Sequence, residues 1–160
     1  MSSFDRRALL ISLAALAGCG FEPVYKTGGT ADGLRGAIRV TPPTTRDEYA
    51  LVSRLEDRLG FGEAARYELR VVLQTDSEGL AITGTNEISR YNLLGTATYL
   101  LRDLATNQVV LTDKVNSFTS YSASEQPVAT LTAERDAQER LMVALADKIT
   151  SQLLLNADQL

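Results

Sequence analysis

From Tyr67 to Tyr121 apolar residues recur at every second position, and this period limits the fold more than any other feature of the chain. Tyr67, Leu69, Val71 and Leu73 project to one side of a strand, with Glu68, Arg70 and Gln74 on the other. Asp76 to Gly79 has the composition of a turn. Leu80 to Leu101 resumes the alternation, with Tyr91, Leu93, Ala97, Tyr99 and Leu101 on one face and Asn92, Thr96, Thr98 and Arg102 opposite. Asp103 to Gln108 reverses the chain, and Val109 to Tyr121 returns as a third strand of an antiparallel meander. A sheet that is apolar on one face has to bury that face against another layer.

The flanking segments supply that layer. Ile38 to Val40 is a short strand stopped by Pro42 and Pro43, which cannot donate to a ladder. Thr45 followed by Glu48 fits a capping box, and Val52, Leu55 and Leu59 keep helical spacing until Gly60, which predicts a helix over Arg46 to Leu59. Its Asp47, Arg54, Glu56, Asp57 and Arg58 read as a solvated face. Ala133, Ala137, Leu141, Ala144, Leu145, Ile149 and Leu153 recur at three and four, predicting a long helix from about Thr132 to Leu155. Arg135 with Glu139 and Asp136 with Arg140 are spaced to add roughly 0.2–0.5 kcal/mol each. The expected architecture is α+β: a two-layer sandwich of about four strands in a mixed sheet with two helices, ordered β-α-β-β-β-α over residues 37–160.

Two absences restrict the chemistry. The chain has no histidine and a single cysteine, Cys19, so no Ser-His-Asp or Cys-His nucleophile and no intramolecular disulfide can be assembled. The usual imidazole and thiolate ligands of zinc are missing too, and no metal site or cofactor is expected. Glu134, Asp136 and Glu139 lie among basic neighbours on the last helix and read as solvated carboxylates. Gly79, Gly84 and Gly95 lie in or beside strands without the following helix that a phosphate loop needs, and read as bends or bulges.

The amino terminus reads as an export signal. Arg6 and Arg7 precede a ten-residue, mostly apolar run from Ala8 to Ala17, too short to span a bilayer. Leu16, Ala17, Gly18 and Cys19 resemble the bacterial lipobox, which implies cleavage after residue 18 and lipidation of Cys19. A buried methylene contributes about 0.8 kcal/mol and one acyl chain holds only marginally, so the several chains typical of such lipoproteins would anchor the protein firmly in a membrane. Gly20 stands where an Asp favours inner-membrane retention, so delivery to the outer membrane, on its periplasmic side, is expected. Arg6 and Arg7 followed by Ala8, Leu9 and Leu10 also loosely resemble a twin-arginine signal, so either export route fits. Residues 19–36, with Gly28, Gly29, Gly33 and Gly36, suit a tether. The mature chain would keep 14 basic and 19 acidic residues, a net charge of -5 that gives no general attraction to nucleic acid.

Cys19, Gly20, Phe21, Glu22, Pro23, Val24 and Tyr25 resemble the opening motif of the lipopolysaccharide-assembly lipoprotein family LptE. Ser89, Arg90 and Tyr91, Tyr121 in a Ser-rich stretch, and the helical segment from Glu134 to Asp147 are similar to its alphaproteobacterial members. The resemblance implies a non-enzymatic protein seated in the lumen of the outer-membrane barrel LptD, supporting barrel assembly and helping to deliver lipopolysaccharide to the outer leaflet. The neutral surface formed by Ser117, Thr119, Ser120, Tyr121, Ser122 and Ser124 suits a wet partner interface, and equally an ordinary exposed strand end. Arg90, Arg102 and Lys114 are the candidate contacts for lipopolysaccharide phosphates, because charged donors make the stronger hydrogen bonds. The competing reading is a lipid-anchored periplasmic subunit of an ABC-type lipid or solute transporter. Substituting Cys19→Ser should move the exported protein from the detergent phase to the aqueous phase in a phase-partition assay; retention in detergent would refute lipidation at this residue.

Overall fold

The computed structural model describes residues 33–82, 88–124 and 126–160, a folded unit that begins at Gly33. The signal segment, Cys19, the Cys19 to Tyr25 motif and Gly84 lie outside the described residues. The elements are β1 (Ile38–Val40), α1 (Arg46–Leu59), β2 (Tyr67–Ile82), β3 (Ile88–Asp103), β4 (Val109–Ser122) and α2 (Pro127–Leu155), followed by a single 3-10 turn, Ala157–Gln159. They form a four-stranded mixed sheet in the order β1-β2-β3-β4, with β1 parallel to β2 and the other pairs antiparallel. The α+β architecture and the β-α-β-β-β-α order are those expected from the periodicities.

A parallel pair needs a crossover, and α1 supplies it. Its start is fixed by a reciprocal cap: the Glu48 N–H donates to Thr45 Oγ1 at 3.2 Å, while the Glu48 carboxylate accepts the Thr44 and Thr45 N–H groups at 2.6 and 3.2 Å. Gly60, at φ 80°, ends the helix and donates its N–H to Glu56 O at 2.7 Å. Leu51, Val52, Leu55 and Leu59 face the core, where full burial of an aliphatic side chain contributes about 1.5–3 kcal/mol. The opposite face is not wholly solvated, since Arg54 clamps Asp147 of α2 in a bidentate pair, Nε–Oδ1 3.0 Å and Nη2–Oδ2 3.1 Å. Arg58 approaches the same carboxylate at 3.8 Å. Leu34 is buried and the Gly36 N–H donates to Leu59 O at 2.7 Å, so residues 33–36 pack on the folded unit.

Three expectations shift in detail. Asp76 to Gly79 is strand, not turn: these residues pair with Leu94, Leu93, Asn92 and Tyr91, and β2 runs on to Ile82. Their polar composition reflects an exposed strand end, and the reversal falls between Ile82 and Ile88. The helix α2 begins at Pro127 rather than near Thr132. Proline suits a first helical position, and the Thr130 hydroxyl accepts the Ser124 N–H at 2.9 Å and donates to Ser124 O at 3.1 Å. Those first turns are mostly exposed, so no apolar period announced them. Of the two i,i+4 pairs, Asp136–Arg140 forms at 2.9 Å, whereas no ion pair joins Arg135 to Glu139.

Gly79 adjoins a register irregularity, as expected of a bulge, but Gly95 does not. It sits in regular register between Thr75 and Ser117, where α2 crosses the sheet. A Cβ there would lie 3.0 Å from Leu141 Cδ2 and from Leu145 Cδ1. The glycine is therefore a contact requirement, and Leu141, Met142, Leu145, Ala146 and Ile149 are buried along this seam. Gly95→Val should cost about 1–3 kcal/mol through overpacking, read by urea denaturation, with part of the loss recovered when Leu141→Ala is added.

Candidate functional site

Both helices lie on the face of β3 that carries Ala97, Tyr99 and Leu101, because the Gly95 seam and the bond from Thr119 Oγ1 to Ala137 O at 3.0 Å hold α2 there. The even-numbered residues of β3 and their cross-strand partners point away from the helices and make an open sheet face. One end of that face is basic. Arg39 and Arg102 flank Glu68 on its two sides, Arg70 lies opposite Leu100 and diagonal to Arg102, and Lys114 lies opposite Thr98. Diagonal positions are about 7–8 Å apart, so three guanidinium groups gather around one carboxylate, and Lys114 lies on the next strand about four residues, roughly 13 Å, along from Arg102. None of the four forms an ion pair with a described residue.

The turn after β3 sets this end. Asp103 is buried; its Oδ1 accepts the Ala105 and Thr106 N–H groups at 2.8 and 3.0 Å, and its Oδ2 accepts Arg66 Nε at 3.3 Å. The Thr106 N–H, then the Ala105 N–H and Arg66, hold the Asp103 carboxyl below its ordinary value of 3.8. Asn107 takes the left-handed φ of 57°, which asparagine tolerates, and its Oδ1 accepts Arg102 Nη1 at 3.5 Å.

Along the rest of the open face run Gln74, Thr96 and Asn116, then Asp76, Leu94 and Phe118, then Glu78, Asn92 and Ser120. Val72 and Phe118 are 57% and 71% exposed, an apolar content set among hydroxyls and amides. Arg90 lies at the far end opposite Ser122, twelve residues up β3 from Arg102 and hence about 40 Å away. The structure thus brings together Arg102 and Lys114 of the candidate residues, adds Arg39 and Arg70, and leaves Arg90 apart.

The helix-facing side holds two other features. Tyr91 and Tyr121 stack at 5.3 Å beyond the core, and burial followed by Glu134 raises the Tyr121 phenol above its usual range. Tyr99 is 1% exposed, its hydroxyl has no partner among the described residues, and burial next to Asp113 pushes it up to about 12. A groove of about 450 Å³ between the helices is lined by charges of both signs, including Arg46, Asp57, Arg135 and Glu139, which gives it no preference for either sign of ligand.

The two-layer α+β fold with helices on one sheet face is shared with solved bacterial proteins. A lipoprotein structure from Caulobacter crescentus CB15 superposes with a TM-score of 0.67 at 22% identity, covering 81% of this chain and 96% of that one. The rare lipoprotein B of Shewanella oneidensis superposes at 0.57 and 13% identity, covering 75% and 93%. In sequence, the uncharacterized protein RP188 of Rickettsia prowazekii is 24% identical over 92% of this chain and 94% of its own length. The chain belongs to the lipopolysaccharide-assembly family LptE, whose family model matches residues 36–153.

A carboxyl held below its ordinary value stabilises the fold at higher pH and loses that contribution as pH falls through its lowered value. Asp103→Ala should therefore lower thermal stability at neutral pH, and the gap to the parent should narrow as pH drops below 3.8. A gap that stays constant from pH 7 to 2.5 would assign the residue a purely steric role.

Proposed function

We propose that this protein is an outer-membrane lipoprotein, anchored through Cys19, that acts in lipopolysaccharide assembly as the partner and luminal plug of the barrel LptD. Family membership over residues 36–153 supports the assembly role. The observation that carries the reading is the open sheet face: two helices cover one side of the sheet, and the other is left to hydroxyls, amides and a basic end. Such a face suits a wet, polar enclosure, because no large apolar patch has to be hidden from water. The basic end offers charged donors to phosphates on the lipid headgroup, and the exposed Val72, with the partly exposed Leu100 beside it, offers apolar contact next to it.

The proposed lipopolysaccharide contacts are Arg102 and Lys114, with Arg70 and Arg39 beside them; Arg90 lies at the far end of the same face. The chain acts by binding and positioning rather than by bond chemistry. The transporter-subunit reading receives no specific support from this geometry.

Purification of the tagged full-length protein from outer membranes in mild detergent should retain LptD at about one copy per copy. The triple substitution Arg70→Gln, Arg102→Gln and Lys114→Gln should weaken binding to purified lipopolysaccharide about tenfold or more and flatten its salt dependence, since removing a charged hydrogen bond costs about 1.5–3 kcal/mol. Equal loss from Arg90→Gln alone, with the triple variant unaffected, would move the contact to the other end of the face. Recovery of inner-membrane transporter subunits without a barrel would overturn the proposal.

A further inference from the structure

We infer that the outer edge of β2 is an acceptor for one extended strand of a partner protein, apolar on its helix-facing side and basic where it passes Asp76 and Glu78. The inference does not depend on which protein supplies the strand.

The sheet has two edges, and they are treated differently. On β4 two of the outward-pointing carbonyls are engaged by side chains from α2: Lys148 Nζ donates to Asn116 O at 2.5 Å, and Arg140 Nη2 donates to Ser120 O at 3.5 Å. Covering an edge with charged side chains is one way proteins block strand addition. On β2 the cover stops early. β1 pairs with only Tyr67, Glu68 and Leu69, and Thr41 then caps the Leu69 carbonyl twice, from its N–H at 2.9 Å and its hydroxyl at 3.2 Å. Pro42 and Pro43 follow, without donors, and lead the chain off into α1.

Because Leu69 directs its carbonyl away from β3, the alternation of an antiparallel ladder directs the N–H and C=O groups of Val71, Leu73, Thr75 and Ser77 the same way. Among the described residues none of these groups has a partner beyond the edge. They span about 20 Å, the length of an ordinary strand. Where β1 ends, a groove of about 280 Å³ lies beside this edge, with Pro42, Leu51, Val52, Val71 and Leu73 in its wall. A strand laid along β2 would place its helix-facing side chains over that wall beside Val71 and Leu73, and beside the exposed Thr75 and Ser77 farther up. Its alternate side chains would lie on the open face next to Val72, Gln74, Asp76 and Glu78.

Charge selects the occupant. In a second copy paired antiparallel about the middle of Val71 to Ser77, Asp76 would face Val72 and Glu78 would face Arg70, so only one of the two carboxylates would meet a cation. A strand carrying lysine or arginine at that end meets the opposite sign. An unpaired edge with an apolar groove on one side and two carboxylates on the other therefore fits a foreign basic strand better than itself.

The test uses the full-length, isotope-labelled chain in detergent micelles and two synthetic peptides of about nine residues, enough to cover Val71 to Ser77 with one residue over at each end. Both alternate valine and threonine, one with two lysines at its amino end and one at its carboxyl end, so that either strand direction is sampled. At about ten times its Kd, one of them should slow amide exchange at Val71, Leu73, Thr75 and Ser77 about tenfold, leaving the outward amides of Phe118 and Ser120 unchanged. The double substitution Asp76→Lys and Glu78→Lys, on exposed side chains, should reverse the preference toward a glutamate-ended peptide. Thr75→Pro, which deletes an outward N–H without touching the bonds to β3, should abolish protection. Absence of protection with either peptide, equal protection on β4, or protection that arises without peptide and tracks a dimer in ultracentrifugation would overturn the inference.

Discussion

A single missing side chain sets the distance between the layers. Where α2 crosses β3, Leu141 and Leu145 lie so close to Gly95 that even a methyl group would meet them at 3.0 Å. That approach lets a 29-residue helix, about 43 Å long, lie along the sheet and bury Leu145, Ile149 and Leu153 completely. With α2 in place, α1 has one position left, against β1 and the side of α2, and the Arg54–Asp147 pair closes the contact. Among the described residues all the helical cover is then spent on one side of the sheet, and the other side has the composition of a surface that meets water.

The open face follows from that division. A four-stranded sheet with no second covering layer keeps its exposed face soluble with threonine, asparagine, serine and charges, and this chain does so through Thr96, Thr98, Asn116 and Ser120. The charges are not evenly spread: Arg39, Arg70, Arg102 and Lys114 gather near the β1 end, while Asp76 and Glu78 lie farther up β2. A chain of net charge -4 thus presents a local positive end on a surface with ordinary polar content. Attraction there acts over about a Debye length, roughly 8 Å at physiological salt, so it selects an anion that reaches the face rather than drawing the whole protein to a charged polymer or membrane.

The period of two and the period of three and four were legible because each is written by residues that reach the core. Tyr67 with Leu69, Tyr99 with Leu101, and Leu141 with Leu145 are buried, and each lay on the face assigned to it. Boundaries drifted where the chain leaves the core. Asp76 to Gly79 looked like a turn because it is solvent-exposed, and the first turns of α2 were silent because Val128 and Leu131 are 79% and 46% exposed. The basic end was legible only in part: Arg70 and Arg102 could each be assigned to an outward face from its own strand, but their adjacency depends on the register Arg70↔Leu100, which no local pattern carries. Arg39 was hidden in a three-residue strand whose parallel pairing with β2 brings it beside Glu68. Gly95 has the look of a bend in sequence because its neighbours give no sign of the leucines that meet it from a helix some 46 residues later.

Hairpin length connects these observations. β2 and β3 have 16 residues each, about 50 Å of strand, whereas β1 covers only the first three residues of β2. The extra length leaves the Thr75, Ser77 and Gly79 side of β2 exposed on the face that α1 protects nearer the core. It also carries Tyr91 and Tyr121 out to a stacked pair at the end of α2. Unpaired strand is a standing risk of aggregation for a soluble protein, and the β4 edge, guarded by Lys148 and Arg140, illustrates how readily this fold can suppress that risk. Among the described residues the other edge is bare over Val71 to Ser77, and with the strand inferred above in place the length that costs protection in isolation would become contact surface.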